Sequence, residues 1–140
     1  MKKKPGYSRK VKGLITTIAD GLTGYMTYQS RCGLSPAYTE YLLYDPIVRI
    51  AKDKEWIVRS EETVSGKGKR GDNKRIDFFL TAREYDQLLV GLEIKWVPKK
   101  RKVLDIENDI EKLKVFRKLH SNKSTYTFII IAGVHNPNRD

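Results

Sequence analysis

The stretch LLVGLEIKW, Leu88 to Trp96, determines the fold that this sequence predicts. Its apolar residues are typical of a buried β-strand, yet it carries an acid and a base two residues apart, Glu93 and Lys95. Because side chains alternate across a strand, Glu93 and Lys95 are expected to point to the same side. The residues predicted to form the opposite, core-facing side are Val90, Leu92, Ile94 and Trp96.

The strand predicted before this one carries a second acid. The segment RIDFFLTA, residues 75–82, is followed by four residues, REYD, that suit a tight connection, so the two strands are predicted to form a hairpin. One face of the earlier strand is expected to hold Ile76, Phe78 and Leu80. Asp77 then lies on the other face, and pairing of the strands brings it beside Glu93, with Lys95 next to them.

This placement of charges predicts a chemistry. Two carboxylates on adjacent strands repel each other unless a cation lies between them. In proteins Mg²⁺ is typically bound through one or two carboxylates, several waters and a substrate phosphate. Such a metal activates water and neutralises charge on a phosphodiester, and a neighbouring lysine orients the water or stabilises the negative charge. The pattern of Asp77, Glu93 and Lys95 therefore predicts metal-assisted hydrolysis of a phosphodiester bond.

The rest of the chain predicts helices and strands around this pair. The dipeptides Ser35–Pro36 and Asp45–Pro46 are each typical of an N-cap followed by proline at the first helical position. A helix from Val11 to Asp20 is also predicted, with an extension to Gln29 left open by two glycines. The predicted order is a helix over 11–20, then one kinked helix or two short ones over 36–44 and 46–53, strands over 56–64, 75–82 and 87–97, a helix from 103, and a strand over 125–134.

The last two elements are predicted from apolar patterns. The segment VLDIENDIEKLKVFRKLH has an acidic first half and a basic second half, which match the dipole of an α-helix. Its apolar face is expected to hold Val103, Ile106, Ile110, Leu113 and Phe116. The run TYTFIIIAGV, residues 125–134, is almost wholly apolar and rich in β-branched and aromatic residues. Such a run predicts a central strand that is covered on both faces.

The residues Asp77 in RIDFF, and Glu93 and Lys95 in LEIKW, followed by a helix and an apolar strand, resemble the PD-(D/E)XK nuclease superfamily. The resemblance covers about residues 36–134. It implies an α/β fold of the restriction-endonuclease-like type, with an αβββαβ core in which helices flank a mixed central sheet. It also implies dependence on Mg²⁺ or Mn²⁺ and cleavage that leaves 5′-phosphates, in DNA more than in RNA.

The resemblance also implies roles for single residues. Asp77 and Glu93 would bind the metal together with the backbone carbonyl of Ile94, and Lys95 would position or activate the water. The family often adds a glutamate from the helix before the first core strand. Glu40 in SPAYTEYLL matches that place, and is expected to bind a metal or to assist the first one.

Several other chemistry-bearing residues are weaker candidates. Asp72 is a rival for Asp77, but it lies in a loop rich in glycine and lysine that would fix its position poorly. Glu61 and Glu62 are less suited than Glu40 to its role. The residues expected to have no catalytic role are His120 and His135, as surface residues, and Cys32, as a packing residue.

The charge of the chain favours a polyanionic partner. The net charge is +11 and the pI about 9.7, which indicate nucleic acid first and an anionic membrane surface second. The basic residues are concentrated in loops and at the N-terminus, as contacts to phosphates require. The residues predicted to contact nucleic acid are Lys67, Lys69, Arg70, Lys74, Arg75, Lys99, Lys100, Arg101 and Lys102.

The length of 140 residues predicts one domain over 11–140, preceded by a basic, flexible tail over 1–10. No apolar run approaches the roughly 20 residues of a membrane helix, and a single cysteine favours a reducing, cytoplasmic location. Two alternatives to a free nuclease stay open: an inactive nucleic-acid-binding module with the same fold, and a toxin or defence nuclease held in check by a protein partner. A homodimer also stays open, with residues 11–30 as its candidate surface, or as a surface for substrate.

Overall fold

The structure, a computed structural model, describes residues 6–32, 40–63, 75–97 and 106–133. Within these ranges the chain forms three α-helices, one short 3₁₀ helix and four strands. Their order is α1 (Tyr7–Arg31), the 3₁₀ helix (Glu40–Leu43), α2 (Tyr44–Asp53), β1 (Trp56–Thr63), β2 (Arg75–Ala82), β3 (Leu88–Val97), α3 (Glu107–Leu119) and β4 (Ser124–Gly133).

The four strands form one mixed sheet in the order β1-β2-β3-β4. The pairs β1–β2 and β2–β3 are antiparallel, whereas β3 and β4 are parallel and are joined through α3, as a parallel connection requires. The predicted hairpin of β2 and β3 is confirmed, with Phe78 opposite Leu92 and Thr81 opposite Leu89. The fold is therefore α/β with a mixed sheet, as the sequence predicted.

Helices cover both faces of the sheet. On one face, Leu14 and Ile18 of α1 and Ile47 of α2 form the larger core with strand residues that include Leu80 and Leu92. On the other face, α3 buries Leu113 and Phe116 in a smaller cluster with Ile76, Phe79 and Ile129. Gly91 lets α3 come this close, because a Cβ at this position would lie 2.6 Å from the ring of Phe116. The face of β3 that carries Glu93 is thus the face beneath α3.

Helix α1 is longer and more deeply buried than the sequence predicted. It begins at Tyr7, which is buried, so residues 7–10 are not part of a flexible tail. Leu14, Ile18 and Leu22 are buried at the spacing of one helical face. Their burial outweighs the cost of about 1 kcal/mol for each glycine inside the helix. Since these residues are part of the core, 11–30 is not a spare segment.

Helix α2 begins before the predicted cap. Its N-cap is Leu43, so Asp45 and Pro46 lie inside the first turn instead of at the boundary. Proline is tolerated there because the first N–H groups of a helix have no partner within the helix. Asp45 instead pairs with Arg49 one turn later, at 3.0 Å. Of the helix predicted over 36–44, the structure describes the part from Glu40, as a 3₁₀ helix followed by the start of α2.

Strand β4 differs most from its predicted place. It lies at the edge of the sheet, next to β3 alone among the described strands, and not at the centre. Ile131 is 51% exposed. An apolar sequence indicates that a strand is buried, but it does not identify the element that buries it.

Two further expectations are corrected. Cys32 is exposed and so is not a packing residue. His120 is half-buried instead of exposed, because its ring packs between those of Phe79 and Phe116, with centroid distances of 5.1 and 4.8 Å. None of the described helices is both long enough and apolar enough to span a membrane.

Candidate metal centre

Asp77 lies where the regular pairing of β2 and β3 stops. The ladder of paired residues runs from Thr81–Leu89 to Phe78–Leu92, and Asp77 is the next residue of β2. Its Oδ2 accepts a hydrogen bond of 2.7 Å from the backbone N–H of Ile94, and its Oδ1 accepts one of 2.5 Å from the Tyr44 hydroxyl. The carboxylate thus replaces a main-chain acceptor, and donors from two elements fix its position.

The alternation of side chains in β2 is interrupted at this point. Phe78 and Leu80 lie in the core beneath α1 and α2, but Ile76 lies in the cluster beneath α3. The prediction that all three share one face is therefore wrong. The reason is the departure from regular pairing, because alternation holds only while the ladder continues.

Glu93 is the most deeply buried acid of the site, with 2% of its surface exposed. Its Oε1 lies 3.0 Å from Nζ of Lys112, yet forms no hydrogen bond with another described residue. Burial, the nearby charge of Asp77 and a hydrogen bond between the two carboxyl groups raise the pKa of Glu93 to about 8; the attraction of Lys112 does not cancel these effects. The prediction that Asp77 and Glu93 meet is confirmed.

Lys95 is not placed as predicted. Its Nζ lies 3.4 Å from Oδ2 of Asp109 in α3, and the ammonium that contacts Glu93 belongs to Lys112. Within the described ranges, no ion pair joins Lys95 to Asp77 or Glu93. The acid pair and Lys95 are therefore linked through residues of α3.

Asp109 and Lys112 are site residues that the sequence did not reveal. Lys112 lies between two acids, at 3.0 Å from Glu93 and 3.6 Å from Asp109. Burial alone would lower the pKa of Lys112, but Glu93, Asp109 and Asp77 together raise it. The signal for Asp109 was its spacing, four residues before Leu113 and on the same helical face. The structure buries Asp109 and leaves Ile110 exposed, the reverse of the predicted apolar face.

The acid pair has the chemistry of a divalent-cation site. Glu93 presents a buried carboxylate oxygen whose charged partner is Lys112, and Asp77 presents a carboxylate held in a fixed position. Within the described residues, no three or more His, Cys, Asp or Glu side chains group as a metal site. Two carboxylates are nevertheless sufficient for Mg²⁺ when waters and substrate oxygens complete its coordination. The pair therefore fits Mg²⁺ or Mn²⁺, which would compete with Lys112 for Glu93.

The remaining predicted residues are tested only in part. Arg75 is exposed at the start of β2, two residues from Asp77. The carbonyl of Ile94 as a ligand stays a prediction, and the side chain of Glu40 lies outside what the structure describes. The other predicted nucleic-acid contacts also lie outside the described residues: Lys67, Lys69, Arg70, Lys74, Lys99, Lys100, Arg101 and Lys102.

Comparisons of this chain with protein-family models, with curated proteins and with solved structures found no match. The resemblance to the PD-(D/E)XK superfamily therefore depends on the residues and the element order described above.

Proposed function

We propose that the protein is a metal-dependent nuclease that hydrolyses phosphodiester bonds, with DNA favoured over RNA as its substrate. The observation that carries the proposal is the proximity of Asp77 and Glu93, two carboxyl groups from adjacent strands that lie close enough for the charge of Asp77 to raise the pKa of Glu93. Two acids are rarely placed together at a half-buried site without a function, because their repulsion and desolvation destabilise the fold.

The described residues suit separate tasks in such a site. Asp77 is held by Tyr44 and by Ile94, which makes it a pre-positioned ligand. A divalent cation bound there would neutralise charge on the phosphodiester and lower the pKa of a water. If Glu93 binds a metal ion instead of Lys112, the lysine still has Asp109 as a charged partner, at 3.6 Å.

Lys95 suits the role of orienting the attacking water or contacting the phosphate. Its side chain is 23% exposed, so part of it reaches the solvent from which a substrate would approach. The ammonium lies 3.4 Å from Asp109. The net charge of +11 supports attraction of a polyanion to this surface.

The test is a cleavage assay on supercoiled plasmid, branched DNA, single-stranded DNA and RNA, with Mg²⁺, Mn²⁺ or EDTA. We expect metal-dependent cleavage with 5′-phosphate ends, and a loss of about 100-fold or more in Asp77→Asn and Glu93→Gln. Glu111→Gln is the matched control, because Glu111 is an exposed acid of α3 that pairs only with Lys114 among the described residues. Cleavage at the wild-type rate in Glu93→Gln would contradict the proposal.

A second candidate is a nucleic-acid-binding module with this fold and no catalytic activity. The observation that favours it is the pairing of both lysines, Lys112 with Glu93 and Lys95 with Asp109, which balances much of the charge without a metal. This candidate predicts binding that weakens steeply with added salt and is not followed by cleavage with either metal. Metal-dependent cleavage that requires Glu93 would exclude it.

A further inference from the structure

One edge of the sheet carries no charged residue along its whole length. Strand β4 pairs with β3 over all ten of its residues, from Ser124 opposite Leu88 to Gly133 opposite Val97. Among the described residues, no strand pairs with the other side of β4. The sequence of β4 predicted a central strand covered on both faces, so its position at an edge requires an explanation.

The two edges of this sheet differ in a way that points to a partner. Sheet edges are normally protected from pairing with other chains by charged residues, prolines or bulges. The opposite edge strand, β1, carries Arg59, Glu61 and Glu62 among its eight residues. Strand β4 has no charged residue and no proline among ten, and its Ile131 is 51% exposed. Of the two edge strands in the described part of the chain, β1 thus carries charged residues that oppose pairing and β4 carries none.

Grooves lie beside β4 on both faces of the sheet. One groove, of about 480 Å³, runs between α1 and β4 and is lined by Leu22, Met26 and Ile130. The other, of about 240 Å³, runs between α3 and β4 and is lined by Ile110 and Ile129 together with Lys114 and Arg117. A strand added along β4 points alternate side chains to the two faces, so its side chains would reach both grooves.

A second copy of β4 is the occupant that fits this edge. We propose that two copies of the protein form a homodimer in which their β4 strands pair edge to edge and antiparallel, making one continuous sheet. Outside the described ranges the sequence contains no run of three consecutive apolar residues. A second β4 carries no charged residue, so its pairing places two uncharged strands at the interface between chains that each have a net charge of +11. This inference does not depend on nuclease activity.

A matched pair of substitutions tests the interface. Ile131→Lys places a charge on the β4 edge, and Ile57→Lys places one on β1, where Ile57 is similarly exposed at 45%. Sedimentation at high salt, which weakens binding to residual nucleic acid, should give twice the monomer mass of 16.2 kDa for the wild type and for Ile57→Lys. Ile131→Lys should weaken association by roughly 100-fold. The two-fold symmetry of the dimer would bury two unpaired ammonium groups in the interface, one from each copy.

Two results would overturn the proposal: a wild-type protein that is monomeric up to its solubility limit, or variants that associate equally well. Amide hydrogen exchange on the wild type gives a second measurement that does not depend on the folding of a variant. The N–H groups of β4 that point away from β3 should exchange slowly in the dimer. Rapid exchange of those groups at concentrations at which the protein is dimeric would place the interface elsewhere.

Discussion

Replacing Glu93 by glutamine should stabilise the metal-free protein at alkaline pH and leave it nearly unchanged at about pH 5. The pKa of Glu93 is raised from 4.5 to about 8, first by burial and then by Asp77. Between these two values the unfolded chain has lost the proton while the folded chain still holds it. The free energy of unfolding of the wild type therefore falls as the pH rises through this interval. Glutamine has nearly the same shape and no charge, so the variant should lack this loss.

The magnitude follows from the interval between the two pKa values. Each pH unit changes the free energy of unfolding by about 1.4 kcal/mol while the two states differ by one proton. The interval from 4.5 to about 8 gives an upper value of about 5 kcal/mol. Relaxation of Lys112 toward the ionised carboxylate reduces it, so we expect Glu93→Gln to be more stable than the wild type by about 3–5 kcal/mol at about pH 9.

Urea unfolding in EDTA, followed in parallel for both proteins from about pH 5 to about pH 9, measures this difference. The advantage of Glu93→Gln should grow steadily with pH and become constant above about pH 8. Glu111→Gln is the control, because it removes a negative charge that is exposed and lies on the same side of the sheet as Glu93. A difference that does not vary with pH would refute the reasoning, because it would show that Glu93 ionises as readily in the folded chain as in the unfolded one.

Other predictions concern metal binding, packing and the support of Asp77. Because a cation binds the ionised carboxylate, the apparent Mg²⁺ affinity of the wild type should rise about tenfold per pH unit up to about pH 8, as measured by calorimetry; an affinity independent of pH would contradict this. Gly91→Ala should lower the free energy of unfolding by about 1–3 kcal/mol, because its Cβ would lie 2.6 Å from the buried ring of Phe116. Gly13→Ala in α1, with no atom within 4 Å of the added Cβ, should instead raise it by up to about 1 kcal/mol, and urea unfolding compares the two. Tyr44→Phe removes a hydrogen bond to Asp77 and should cost about 1–2 kcal/mol in the same assay; unchanged stability would mean that water replaces the hydroxyl.

The hairpin and the acid pair could be predicted because they depend on local rules. The bounds predicted for β2, residues 75–82, agree with the structure, and the bounds for β3 differ by one residue. A short connection makes neighbouring strands pair, and the spacing along each strand then decides which residues meet. Asp77 and Glu93 are therefore together, although the interruption of alternation at Asp77 was not foreseen.

The contribution of α3 could not be predicted because it depends on how the helix is rotated against the sheet. An apolar face that includes Ile110 and one that includes Asp109 both contain Leu113 and Phe116. The close approach of Phe116 to Gly91 accompanies the second rotation, which buries Asp109 and brings Lys112 to Glu93. A pattern of apolar residues in a helix does not specify such a contact with a distant strand.

The position of β4 could not be predicted for a different reason. Its apolar sequence indicates burial, but burial by a neighbouring strand of the same chain and burial by a second copy give the same pattern. The length of α1 was also underestimated, since glycines inside it weakened the helical pattern. Burial of Leu14, Ile18 and Leu22 decides in favour of the longer helix, and that burial is a tertiary effect.

Titration of the protein with Mn²⁺, with the free ion measured by electron paramagnetic resonance at about pH 8, tests the proposed metal centre most directly. The wild type should bind Mn²⁺, and Mg²⁺ should displace it. Binding should be lost in Glu93→Gln and retained in Glu111→Gln, whose substituted side chain lies outside the cluster of Asp77, Glu93 and Lys112. Equal Mn²⁺ binding by the wild type and Glu93→Gln, or no binding by the wild type, would show that Asp77 and Glu93 do not form a metal site.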